Sequence, residues 1–144
     1  MTSSIPMSLL KPTVNTPFHI DFDWWQKNEH DWHVHLQKCL CEEHQEYFYD
    51  HPFDQMIDTI DPITAEVKQV DGLTHTLTTH CAQEEDFITK STQLVEAVFR
   101  ALLANGNKPM TPKQLEEITG KTSRTILKTI AHRKVYMGIR PAEA

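Results

Sequence analysis

The sequence has little glycine, four residues in 144, and it lacks the catalytic patterns that depend on glycine. It contains no glycine-rich phosphate loop and no G-x-S-x-G nucleophile turn, and the metalloprotease pattern H-E-x-x-H is also absent. Acidic pairs such as Asp58 and Asp61 are expected by chance, because sixteen acidic residues fall within the first 90. These absences predict a protein that is not an enzyme.

Long apolar runs and an even set of cysteines are also lacking. No stretch approaches the roughly 18–20 apolar residues that span a bilayer, and the first twelve residues lack the basic start and apolar core of a secretory signal. Three cysteines cannot all pair within one chain, and Cys39 and Cys41 are too close for a relaxed mutual disulfide. We therefore expect a cytoplasmic protein in a reducing compartment, with no membrane partner.

Charge is divided unevenly along a chain whose formal net charge is −6. Residues 1–90 carry five basic and sixteen acidic residues, a net of −11, whereas residues 91–144 carry nine basic and four acidic residues, a net of +5. This asymmetry predicts two functional halves, with the basic one a candidate for binding a polyanion. We expect a flexible arm at 1–17, where three prolines fall, an acidic half at 18–90 and a separate domain at 91–144.

The acidic half begins with a helical pattern. From Asp23 to about Tyr49 no glycine or proline interrupts the chain, and large apolar residues recur at steps of four and seven, which predicts one long helix. Asp61-Pro62 and Asp71-Gly72 then mark turns between segments rich in Val, Ile and Thr. We expect a small antiparallel β meander at about 55–60, 65–70 and 73–79, although the last segment also fits a helical turn. The residues of the helical stripe are Trp25, Trp32, Leu36, Leu40 and Tyr47.

All three cysteines fall in this acidic half, close to several histidines. Zinc prefers four thiolate or imidazole ligands, supplied as close pairs from two elements. Cys41-x-x-His44 supplies one pair and His80-Cys81 the other. We therefore predict a structural Zn²⁺ held by Cys41, His44, Cys81 and, as the fourth ligand, either His80 or Cys39. The arrangement resembles a zinc ribbon, in which strands lie between two ligand pairs. Buried apolar cysteines with incidental surface histidines, an iron–sulfur cluster and a thiol redox sensor are the alternative interpretations.

The basic half contains the pattern helix, short glycine turn, helix. Thr111-Pro112 with a glutamine at position 114 predicts a capped helix start, a helix that buries Leu115 and Ile118, and an end at Gly120. Ser123 then caps a second helix over 123–133. In that helix the apolar residues Ile126, Leu127 and Ile130 fall on one side and the basic and hydroxyl residues on the other. A supporting helix precedes both, with Leu94, Val98, Ala101 and Leu102 on one face.

Residues 133–140 alternate Val135, Met137 and Ile139 inward and predict one short strand. In this order of elements, residues 92–140 resemble a winged helix-turn-helix DNA-binding domain. The resemblance implies that the helix from Ser123 reads duplex DNA, while the short remaining chain implies a wing that is truncated or paired elsewhere. The predicted DNA-contacting residues are Lys121, Arg124, Thr125, Lys128, Thr129, Lys134 and Arg140.

The overall prediction is therefore an α+β protein, mainly helical, with a long N-terminal helix, a small β meander and a C-terminal winged helix-turn-helix. The predicted function is that of a small cytoplasmic transcriptional regulator whose partner is double-stranded DNA. Its acidic half senses a signal, forms a homodimer or docks another protein such as the transcription machinery. The alternative is a non-enzymatic accessory subunit whose winged helix binds protein.

Overall fold

The computed structural model describes residues 11–28, 32–50 and 56–142. Within them the architecture is α+β, as predicted, with short helices and two antiparallel strand pairs. The chain divides into two compact units, one formed by Met1–Trp24 with Ile88–Ala144 and the other by Trp25–Phe87. We call them the terminal unit and the inserted unit. Residues 18–24 thus belong with the C-terminal residues, whereas the sequence grouped them with the acidic half.

The two units correspond closely to the acidic and basic parts of the chain. The inserted unit carries fourteen acidic and three basic residues, whereas the terminal unit carries eleven basic and six acidic residues. Their net charges are therefore −11 and +5. No helix in the described part of the chain combines the length and apolar character needed to cross a bilayer.

The predicted single helix from Asp23 to Tyr49 is wrong. Three shorter helices occupy this region: α1 (Phe22–Asn28), α2 (Trp32–Cys39) and α3 (Glu42–Asp50). Between α2 and α3, the carbonyl of Leu40 accepts a hydrogen bond from the side chain of Gln45 (2.8 Å), which satisfies a backbone group that a continuous helix would have used.

The predicted apolar stripe of this region is partly confirmed. Trp25, Leu36 and Leu40 are buried, but Tyr47 is 51% exposed because the chain has changed direction before α3. The side chain of Trp32 lies outside those that the structure describes.

A β-hairpin follows, formed by β2 (Met56–Ile60) and β3 (Val67–Asp71), with Ile60 opposite Val67 at its closed end. The predicted Asp61-Pro62 turn is present: the Asp61 carboxylate accepts hydrogen bonds from the backbone N–H groups of Ile63 (2.7 Å) and Thr64 (3.1 Å).

The strand predicted at 73–79 is wrong, and the alternative prediction of a helical turn there is correct. Residues Gly72–Thr79 form helix α4, so Asp71-Gly72 joins a strand to a helix and does not close a second hairpin. Leu73 and Leu77, four residues apart, are both fully buried on one face of α4. The hydroxyl of Thr78 donates to the carbonyl of Thr74 (3.0 Å), as threonines in helices do. Burial of the two leucines therefore outweighs the strand preference of the threonines.

The terminal unit contains three helices that pack on one another: α5 (Leu94–Ala104), α6 (Pro112–Thr119) and α7 (Ser123–Ile130). The capping box at Thr111 is present, and Gly120 ends α6 with φ +75°, a left-handed conformation that favours glycine. The predicted cap at Ser123 is wrong by one residue, because the hydroxyl of Thr122 accepts from the N–H of Thr125 (3.3 Å).

Helix α6 is rotated from its predicted orientation. Leu115 is fully buried as expected, but Ile118 is 48% exposed. Thr119 is buried in its place, and its hydroxyl donates to the carbonyl of Leu115 (2.8 Å). This internal bond allows a polar side chain to lie in the apolar interior.

A short strand that the sequence analysis missed lies at the centre of the terminal unit. Strand β1 (Phe18–Ile20) pairs antiparallel with β4 (Ile139–Pro141) on one edge. On its other edge, Phe18 exchanges backbone hydrogen bonds with Met110 (2.8 and 2.9 Å). Asn107 completes that edge with its side chain, accepting from the N–H of Ile20 (2.8 Å) and donating to its carbonyl (2.9 Å).

The strand predicted over 133–140 is shorter than expected. Only Ile139 and Arg140 of that segment lie in β4, and Ile139 is buried whereas Val135 and Met137 are half-buried. Met137 and Gly138 both have positive φ (+53° and +74°), which turns the chain before β4 begins.

We predict that Asn107→Ala destabilises the protein by about 2–3 kcal/mol, because it leaves both backbone groups of Ile20 without their side-chain partner. Urea unfolding followed by circular dichroism measures the change. The matched control is Asn105→Ala, which removes one exposed, longer hydrogen bond (3.3 Å) and should cost less than about 0.5 kcal/mol. Equal losses for the two variants would contradict the role of Asn107.

Candidate metal centre

Two of the predicted metal ligands come from the bend between α2 and α3. Cys41 lies just before α3, and its carbonyl accepts the N–H of Gln45 (2.9 Å), the first hydrogen bond of that helix. His44 follows in the first turn of α3. Residues three apart lie on the same helix face, and the Cys41 Sγ is 3.1 Å from the His44 Nδ1.

The other two come from the bend after α4. His80 follows that helix, and Cys81 begins a 3₁₀ turn (Cys81–Gln83). Neighbouring residues on a strand would direct their side chains to opposite faces. His80 avoids this because its backbone (φ −122°, ψ −66°) is not extended. The bend therefore brings two adjacent side chains to one centre.

The four donor atoms have the spacing of a small coordination shell. Cys41 Sγ lies 3.4 Å from Cys81 Sγ and 3.8 Å from His80 Nδ1, and His44 Nδ1 lies 3.6 Å from Cys81 Sγ. All four atoms lie within 4.8 Å of one another. A tetrahedron with metal–ligand bonds of 2.0–2.3 Å has edges of about 3.3–3.8 Å. Cys41, His44, His80 and Cys81 can therefore hold a metal ion.

Of the two candidates for the fourth ligand, the structure places His80 in the group and leaves Cys39 out. Cys39 is in the last turn of α2 and is 2% exposed. The hairpin and α4 lie between the two ligand pairs along the chain, as predicted, although one of the expected strands is a helix.

Burial and charge shape the chemistry of the thiols. Cys81 is 1% exposed, whereas the side chain of His80 is about half exposed. Burial is the main cause that raises the pKa of Cys81 from an ordinary value of 9.0 to about 11. The neighbouring Cys41 thiol and the Glu84 carboxylate contribute to this rise in pKa, whereas a hydrogen bond from the Cys41 backbone opposes it. A bound cation reverses this preference, because it stabilises the thiolate directly.

One residue near the centre was not predicted from the sequence. A carboxylate oxygen of Glu84 lies 3.9 Å from the His80 Nδ1. Its position four residues after His80 was the available signal, since the pair lies one turn apart. Glu84 adds negative charge beside the centre, which favours a bound cation.

The predicted DNA-contacting residues all lie in the terminal unit. Arg124, Thr125 and Lys128 are exposed on α7, while Ile126 and Ile130 are buried on its opposite face. The hydroxyl of Thr129 donates to the carbonyl of Thr125 (3.0 Å).

The remaining three lie outside α7 and have contacts of their own. Lys121 Nζ donates to the carbonyl of Lys90 (3.4 Å), and Lys134 Nζ lies 5.5 Å from the centre of the Tyr136 ring. Arg140 forms an ion pair with Asp21 (3.0 Å). Four of the seven predicted DNA-contacting residues therefore lie on α7, and the other three lie outside it.

Comparisons of the chain with family models, with curated proteins and with solved structures give no match. The function is therefore inferred from the residues of the protein itself.

We predict that the purified protein carries about one divalent metal ion per chain by elemental analysis. Cys41→Ala and Cys81→Ala should each lower that content sharply, because each removes one of four ligands. Cys39→Ala is the matched control and should leave the content unchanged. Metal-free protein that keeps its full thermal stability would contradict the site.

Metal affinity should rise with pH, because Zn²⁺ must displace the proton that Cys81 holds at neutral pH. This proton alone predicts about a tenfold gain in affinity per pH unit between pH 6.5 and 8.5. Calorimetric titration with Zn²⁺ in two buffers of different ionisation enthalpy should detect its release.

Without a bound metal, the stability of the folded state should fall as the pH rises, which is opposite to the trend in metal affinity. The raised pKa favours the folded state with a neutral thiol below pH 9, and this contribution is lost as the pH rises towards 11. A zinc affinity that is constant with pH would contradict the assignment of Cys81 as a ligand.

Proposed function

We propose that this protein is a small DNA-binding regulator of transcription, whose terminal unit contacts duplex DNA as a winged helix-turn-helix and whose inserted unit contains a structural Zn²⁺ site. The observation that carries the proposal is the two-sided character of α7. Ile126 and Ile130 are buried against the terminal unit, whereas Arg124, Thr125 and Lys128 are exposed. A recognition helix needs one face packed and the other available to the major groove.

The joint between α6 and α7 supports this proposal. Three residues, Gly120 to Thr122, join the two helices, and this is the turn length typical of helix-turn-helix motifs. The Glu116 carboxylate accepts the backbone N–H of Ser123 (2.7 Å), so α6 holds the first turn of α7 in place. A fixed orientation of α7 is what base recognition requires, since its N-terminal residues approach the base edges.

Within that first turn, Arg124 is well suited to guanine and phosphate, because its guanidinium can donate two parallel hydrogen bonds. Lys128 follows one turn later on the same side and provides a point charge for the backbone. Thr125 offers a hydroxyl group to phosphates, and Thr129, whose hydroxyl already donates to the carbonyl of Thr125, offers its methyl group to thymine. Together these side chains supply both charge and hydrogen-bonding groups.

The strand after α7 forms an unusual wing. β4 pairs with β1 from the beginning of the chain, which supports the expectation of a wing strand paired elsewhere. Lys121 and Lys134 are candidates for phosphate contacts beside α7. Arg140 must leave its ion pair with Asp21 to join them.

In the inserted unit, the donor set favours zinc. Two thiolates and two imidazoles in a tetrahedral arrangement suit Zn²⁺, whereas Mg²⁺ and Ca²⁺ prefer oxygen ligands. All four donors come from the protein, which is typical of a structural site and leaves no position open for a substrate. We therefore propose a stabilising role for the ion and no catalysis.

The charge of the inserted unit assigns it a different partner. A net charge of −11 opposes contact with phosphates. We propose that this unit docks another protein or a second copy of the chain, while the terminal unit binds DNA. The second candidate function is an accessory subunit, favoured by the exposed Ile118 on α6, an apolar side chain available to a protein partner.

The test is fluorescence anisotropy of a labelled duplex with the full-length, zinc-loaded protein at several salt concentrations. We expect the affinity to fall steeply from about 50 to 200 mM salt, as phosphate contacts require. The double variant Arg124→Ala/Lys128→Ala should weaken binding by at least about tenfold and lower the salt dependence by about two ion equivalents.

The control is Lys11→Ala/Lys108→Ala, which removes the same charge from exposed positions of the terminal unit that are not part of α7. Its affinity should stay within about threefold of the parent protein. Equal losses in the two double variants would contradict a role for α7. The absence of any duplex binding at low salt, with binding of a protein partner that survives the α7 changes, would favour the accessory subunit.

A further inference from the structure

The two cysteines of the metal centre are close enough to react with each other. Their sulfurs are 3.4 Å apart although they lie 40 residues apart in sequence, and both are reduced thiols. A disulfide bond is about 2.0 Å long, so the sulfurs need to approach by about 1.4 Å. Neither cysteine lies within an α-helix, since Cys41 precedes α3 and Cys81 begins the 3₁₀ turn.

The two thiols differ in access. Cys41 is half-buried and its sulfur contacts the rings of His44 (3.1 Å) and His80 (3.8 Å), whereas Cys81 is 1% exposed. A small oxidant from solvent therefore reaches Cys41 first. Cys81 lies directly behind it, where a second thiol can resolve an oxidised sulfur before it reacts further.

We propose that Cys41 and Cys81 form a reversible disulfide on reaction with a hydroperoxide, and that this reaction releases the metal ion. The release rests on the proposed zinc site; the pairing of the sulfurs rests on their distance alone. Cys39 is excluded from the pair because it is not among the four clustered donors.

The reaction balances with hydrogen peroxide as the oxidant. The Cys41 thiolate attacks one peroxide oxygen, an S–O bond forms as the O–O bond breaks, and the departing hydroxide takes a proton to become water. The Cys81 thiolate then attacks the Cys41 sulfur, an S–S bond forms as the S–O bond breaks, and a second hydroxide leaves as water. Two electrons pass from the two sulfurs to the peroxide. With two of its four ligands consumed, the Zn²⁺ dissociates.

The test treats the full-length, zinc-loaded protein with excess hydrogen peroxide. Zinc release is followed with a chelating dye, and free thiols are counted after denaturation. We expect loss of one zinc per chain in step with a fall from three thiols to one, and recovery of both after reduction with added Zn²⁺. Zinc that is retained while glutathione in the same solution is oxidised would overturn the proposal.

Two variants identify the pair. Trypsin leaves Cys39 and Cys41 in one peptide, because it cleaves after Lys38 and next at Lys68, so peptide mapping alone does not separate them. In Cys39→Ala both remaining thiols should be lost, and the mapped disulfide should join residues 41 and 81. In Cys81→Ser no internal disulfide should form, and Cys41 should be trapped as a sulfenic acid by dimedone.

A disulfide that involves Cys39, or one that joins two chains, would overturn the pairing. A chain that takes up no zinc would contradict the proposed metal centre and the release step, and the mapped disulfide would still decide the pairing. The two hypotheses can therefore fail separately.

Discussion

With the proposed structural zinc site, the inserted unit depends on the contact between its two chain bends. It has 63 residues, its helices are nine residues or shorter in the described part of the chain, and its net charge is −11. Domains of this size bury a modest apolar area, so a covalent or metal link can add a large share of their stability. Cys41 and His44 at one bend and His80 and Cys81 at the other supply the donors for such a link. A cation at this point would also offset part of the negative charge.

The terminal unit is stabilised in another way. Its interior contains large side chains that are almost fully excluded from solvent, among them Phe18, Phe99 and Leu115. Burial of this apolar surface supplies the main stabilising free energy. Because Ile126 and Ile130 already anchor α7 to that interior, the exposed residues of the helix are not needed for folding and are available for recognition. The proposed division of function between the units thus follows from what stabilises each of them.

Local signals in the sequence predicted the elements that local interactions determine. The capping box at Thr111 and the turn at Gly120 predicted the bounds of α6, and the ligand pairs could be predicted because all three cysteines lie close to histidines along the chain. Sequence patterns gave no sign of the features that distant contacts determine. β1 has three residues and no pattern of its own, since its partners are Met110, Asn107 and β4.

The division of residues 23–49 into separate helices was missed for a related reason. Apolar spacing continued across the break at Leu40, so periodicity gave no sign of it. The available signal was the Cys39-x-Cys41 spacing, which is awkward for two ligands on one helix. Likewise, threonine content suggested a strand at 73–79, but Leu73 and Leu77 determine a helix through their burial.

The pairing of β1 with β4 has a consequence for the order in which the two units can fold during synthesis. Asp21 and Arg140 are 119 positions apart, so the terminal unit lacks an edge of its sheet until β4 has left the ribosome. The inserted unit is contiguous and its residues are all synthesised earlier. Domains generally fold as units during synthesis, so the inserted unit can fold, and take up the proposed ion, while the terminal unit is still incomplete. The unit for which we propose DNA binding would then be the second of the two to fold.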